Sequence, residues 1–129
     1  MPAGPVMLRD EQLRRMGAAL FDEYREQLRA HLREMFPLRS RALGDQGVGK
    51  LCDRALERGR ALGFSSERNL TLWVDLYFAL GARWEQAPGM RWLLDLVEDR
   101  SRGEDGRMYL VYRRLPSRCP NSGDAAEAP

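Results

Sequence analysis

The stretch Ser66 to Glu85, SERNLTLWVDLYFALGARWE, constrains the fold of this chain more than any other. Read as a helix of about 66–86 stepping 100° per residue, it gathers Leu70, Trp73, Val74, Tyr77, Leu80, Gly81 and Trp84 on one broad face. Leu72, Leu76 and Phe78 widen that face, and only Thr71, Asp75, Ala79 and Ala82 are left for water. A helix apolar over most of its circumference must be covered by neighbours on at least two sides. The spacing therefore predicts a central helix inside a helical domain, with Ser65 or Ser66 capping its start and Pro88 and Gly89 marking where it has ended.

The flanking patterns supply the covering helices. From Asp10, read as an N-cap, Leu13, Met16, Leu20, Tyr24, Leu28, Leu32 and Met35 recur at helical spacing until Pro37. The run LRSRALGDQGVGK, with glycines at 44, 47 and 49, reads as a connector. A second helix is expected from about Val48 to Leu62, with Gly63 as its left-handed terminator and Phe64 folding back onto the last turn. Met90, Leu93, Leu94, Leu96 and Val97 give a short fourth helix, and Met108, Tyr109, Val111, Tyr112 and Leu115 a fifth ended by Pro116. The expected architecture is one all-α domain of about five helices over 10–115, between a flexible lead-in, 1–9, and a disordered tail, 116–129.

At 129 residues the chain can bury a core without a staple. Its 21 basic and 19 acidic residues leave a net charge of only +2, so a general affinity for nucleic acid is not indicated. Arg25, Arg29 and Arg33 do form a row at i, i+4 spacing, which keeps a nucleic-acid-binding regulator open as an alternative. Cys52 and Cys119 lack metal-ligand spacing, and a reducing cytoplasm is the natural reading. The longest apolar stretch is interrupted by Asp75 and falls short of the ~20 residues of a membrane span.

No catalytic constellation stands out. Gly44 to Leu51, GDQGVGKL, has the glycines and lysine of a phosphate-binding loop, but a helical pattern precedes it and Leu51 occupies the hydroxyl position. His31 borders the apolar stripe of the first helix and reads as a packing residue. Asp75 reads as solvent-facing; if buried, it would need an arginine or several hydrogen bonds. Catalytic, cofactor and metal residues are therefore expected to be none. The interface candidates are Trp92, Tyr109 and Tyr112, aromatics on the terminal helices, with Arg91 and Arg113 beside them.

HLREMFP, CDRALERGRALGF, SERN, LYFALGARWEQAP and RMYLVYRRL together resemble small helical proteins, mostly uncharacterised, encoded in proteobacteria beside type VI secretion effector and spike-tip genes. The resemblance runs from Asp10 to Leu115 through Phe36, Pro37, Ala61, Gly63, Leu80, Gly81 and Trp92. Where many members carry Phe-Asp, this chain has Trp84 and Glu85. The resemblance implies an accessory role around a secreted toxin. The expectation is a non-enzymatic adaptor or chaperone that binds another protein, possibly the effector or spike tip; a cognate inhibitor and an enzyme with an unrecognised site are alternatives.

Overall fold

The computed structural model describes the backbone of residues 3–118 and the side chains of residues 17–115. Its elements are α1 (Ala3–Met35), α2 (Pro37–Ala61), α3 (Glu67–Leu80), a 3₁₀ turn (Trp84–Gln86), α4 (Arg91–Glu98) and α5 (Glu104–Arg118). The fold is all-α, and the helices pack around one core. α1 begins at Ala3, inside the segment expected as a lead-in, and passes through Asp10 without a break. The tail from 119 onward lies outside the described residues.

α1 ends where Phe36 leaves helical geometry at φ −130°, and Pro37 opens α2 at a position where its missing amide costs nothing. Thus α2 starts well before Val48, and most of the expected connector is helical. Gly44 alone departs, at φ 77° and ψ 165°, and kinks the helix there. Gly47 and Gly49 stay helical because packing outweighs their propensity: Val48 between them is fully buried, and Gly49 lies against the Arg29 guanidinium. The end of α2 follows its sequence signal. Phe64 N–H returns to Gly59 O at 3.0 Å and Gly63 N–H to Arg60 O at 3.0 Å, the paired bonds of a Schellman motif.

Ser66 caps α3 by accepting the Asn69 amide at 3.1 Å. The helix stops at Leu80, earlier than the apolar pattern predicts, because Gly81 takes φ 112°, a conformation L side chains rarely adopt. Gly81 is therefore past the end of the helix, and Leu80 is half-buried at the core's edge. Trp84 reaches the core from the 3₁₀ turn instead, edge-on to Trp73 at 5.5 Å and to Tyr77 at 5.6 Å. Leu70, Trp73, Val74, Tyr77 and Trp84 are buried as the pattern requires, and so are Leu76 and Phe78.

Three helices cover α3. α2 takes one side, where Trp73 Nε1 donates to Ala55 O at 3.0 Å. α5 takes another, where the Tyr112 hydroxyl donates to Leu72 O. α1 covers the polar stripe expected to face water: Tyr24 shares a hydrogen bond with Thr71, and His31 with Asp75.

α5 starts at Glu104, before the first apolar residue of its pattern, and continues past Pro116. Its first turn fastens the entry to α3. Glu104 accepts from Ser65 N at 2.8 Å, Ser65 Oγ at 2.7 Å, Ser66 N at 3.2 Å and Asn69 Nδ2 at 3.0 Å. Burial alone would raise its pKa, but these donors draw it down to about 2. One turn on, buried Arg107 donates to Leu62 O at 2.9 Å and to Val97 O, with its guanidinium over the Phe64 ring. Those carbonyls lie at the C-terminal ends of α2 and α4, where helices concentrate partial negative charge.

Candidate interaction surface

Helical periodicity puts the aromatic side chains of α4 and α5 on different faces, and the structure separates the five interface candidates accordingly. Trp92 is half-buried and packs against the core. Tyr112 is also inward: burial raises its pKa, and its hydroxyl is spent on Leu72 O. It is a strut between α5 and α3, not an exposed anchor. Arg91 is held along α4 by Asp95 at 3.0 Å and Glu98 at 3.7 Å.

Tyr109 and Arg113 differ from the rest. Tyr109 is 62% exposed, and Arg113, one turn further along α5, lies with its guanidinium 6.0 Å from the ring centroid. Arg113 Nη1 also donates to the phenol oxygen at 3.5 Å. Among the described residues, the other large exposed apolar side chains, Leu20, Met35 and Leu38, belong to α1 and the start of α2.

Two clefts, absent from the sequence reading, each hold a cluster of polar side chains. The first, about 460 Å³, lies between α1 and α3 and is lined by residues including Tyr24, Gln27, His31, Thr71 and Asp75. His31 Nε2 is 2.9 Å from Asp75 Oδ1, and the Tyr24 and Thr71 hydroxyls are 2.9 Å apart. The Asp75 side chain is only 19% exposed, so burial raises its pKa, with the nearby His31 opposing that shift. This corrects the solvent-facing reading of Asp75 and gives His31 a polar partner. The sequence did carry a signal: a lone charge within an apolar run and a lone histidine beside an apolar stripe each require a partner.

The second cleft, about 440 Å³, is framed by α2 and the segment following α3. The Tyr77 hydroxyl donates to Glu85, and Arg58 reaches the same carboxylate at 3.2 Å and Glu98 at 3.5 Å. Burial and the Glu85 contact both raise the Tyr77 pKa.

The remaining sequence candidates are accounted for by packing. Arg25 and Arg29 share Asp53 of α2, and Arg33 approaches Asp45 at 4.0 Å, so the basic row is engaged within the protein. The run Gly44–Leu51 forms no glycine loop; beyond Gly44 it is helix. Cys52 is buried, and burial pushes its thiol up to about 11. Among the described residues, no three His, Cys, Asp or Glu side chains form a metal-binding group, and no helix is long and apolar enough to cross a membrane. Compared with known proteins, the chain matches no family model, no curated protein and no solved structure.

Proposed function

We propose that this chain is a non-enzymatic accessory protein that works by binding another protein, as an adaptor or chaperone does, through the face of α5 that carries Tyr109 and Arg113. The observation behind this reading is the exposure of Tyr109 beside an arginine on the outer face of α5. A tyrosine offers large contact area at small conformational cost, and tyrosine and arginine are enriched where binding energy concentrates. The sequence resemblance to proteins encoded beside type VI secretion effectors extends the proposal to a secreted effector as partner and to the cytoplasm as the place of binding.

The test is purification from native cells of wild type, Tyr109→Ala and Arg113→Ala, with thermal melts of each. The reading expects Tyr109→Ala to keep the melting temperature and lose the protein that accompanies wild type. Retention of that protein by both variants would sink it.

A second reading is favoured by one observation, the convergence of His31, Asp75, Tyr24 and Thr71 in a single cleft. A carboxylate-oriented imidazole is the core of many general-base sites. The hydroxyl of Thr71, however, is bonded to Tyr24, so no activated nucleophile completes the pair.

A further inference from the structure

The cleft beside Glu85 is unbalanced in charge. Arg54 and Arg58, four residues apart, share one face of α2, and Arg83 enters from the turn after α3. Arg54 Nη2 reaches Ala82 O at 3.4 Å, which brings its guanidinium across to that turn. Among the lining residues these three guanidinium groups face one carboxylate, Glu85, which is already shared by Tyr77 and Arg58.

Six arginines of the protein are paired with carboxylates. Arg25, Arg29, Arg33, Arg91 and Arg102 outside the cleft, and Arg58 within it, each have a carboxylate within 4.0 Å. Arg54 and Arg83 have none among the described residues, although they line the same cavity. Two uncompensated like charges held at one concavity repel each other, and an incoming anion removes that repulsion while gaining forked hydrogen bonds.

We infer that this cleft binds an acidic segment of a partner polypeptide, with one of its carboxylates held by Arg54 and Arg83. The inference goes beyond the α5 surface and draws on the protein-binding reading only for the class of partner. A carboxylate suits the site better than a phosphate, because Glu85 remains in the lining and opposes a dianion more strongly than a monoanion. The planar guanidinium fork also matches a carboxylate in geometry. The Tyr77 ring and Ala82 give the backbone of such a segment an apolar floor.

The experiment titrates the purified full chain with a fluorescent hexaglutamate peptide, using hexaglutamine as the neutral comparison. Hexaglutamate should bind and hexaglutamine should not. Arg54→Glu combined with Arg83→Glu should weaken binding by about tenfold or more, the size expected for reversing charges that touch the ligand. Reversing Arg41 and Arg68, two exposed arginines away from this cleft, should leave affinity almost unchanged. If the double Glu variant melts early, Arg54→Gln with Arg83→Gln gives the same readout with a milder change. Equal loss in the Arg41/Arg68 control would show general charge attraction, and unchanged affinity in both cleft variants would remove the site; either overturns the proposal. Displacement of the peptide by an equal concentration of inorganic phosphate would overturn the choice of carboxylate. Tyr109→Ala should bind the peptide as wild type does, so failure of the cleft and failure of the α5 surface are read separately.

Discussion

Gly59 of α2 and Trp73 of α3 approach so closely that a β-carbon on Gly59 would lie 2.6 Å from Trp73 Cδ1. The indole is fixed in place, fully buried, with its Nε1 bonded to Ala55 O. Alanine at 59 would gain about 1 kcal/mol in helix propensity, but overpacking a rigid ring costs about 1–3 kcal/mol. Gly59→Ala should therefore lower the melting temperature. Gly106→Ala, on a helix with no atom near its added methyl, should raise it.

Glu104 and Asp75 should give acid responses of opposite sign. Glu104 has a depressed folded pKa, so its contribution is fully present above the ordinary 4.5 and is lost as pH falls toward about 2. Glu104→Gln should destabilise strongly at pH 7 and hardly at all near pH 2. Melts of both proteins across that range check the sign.

Asp75 has a raised folded pKa, because burial disfavours its charge. The folded state then holds the proton more tightly than the unfolded one, so the associated stability is present below the ordinary 3.8 and lost as pH rises through the folded value. Asp75→Asn should accordingly improve relative to wild type as pH rises from 3 to 7. A difference in melting temperature that moves the other way would mean the His31 pairing outweighs burial.

The two tyrosines of α5 should behave differently. Tyr112→Phe leaves Leu72 O without its hydroxyl donor and should cost about 1 kcal/mol. Tyr109→Ala removes an exposed side chain and should stay within about 0.5 kcal/mol of wild type. Denaturant midpoints of the two variants decide this.

Thr71→Ala, which a solvent-facing stripe would make silent, should cost about 1 kcal/mol, because the buried Tyr24 hydroxyl loses its side-chain partner. A melt equal to wild type would show that Glu67 O, at 3.4 Å, satisfies that hydroxyl alone.

The helices themselves were legible wherever a local signal decides. Gly63 followed by Phe64 specifies a Schellman end by a backbone conformation encoded within a few residues. Gly44, Gly47 and Gly49 look alike in sequence. Only packing of Val48 and Arg29 makes the second and third helical, so the start of α2 was hidden. The end of α3 was missed because the apolar spacing runs on to Trp84, and the turn after Gly81 returns that indole to the same core. The His31–Asp75 contact was out of reach for a related reason. A helical wheel shows that Asp75 lies on a polar stripe, but not whether water or α1 covers it. Glu104 also could not be assigned, since its partners lie about forty residues away across a turn.

Arg107 ties the ends of two helices to a third. α2 ends at Ala61 and α4 at Glu98, yet one side chain of α5 serves both ends. Without Arg107 the Leu62 and Val97 carbonyls would lose this donor together. α5 therefore acts as a keystone: one of its side chains locks the ends of two other helices at once, so a change that loosens α5 is felt at both.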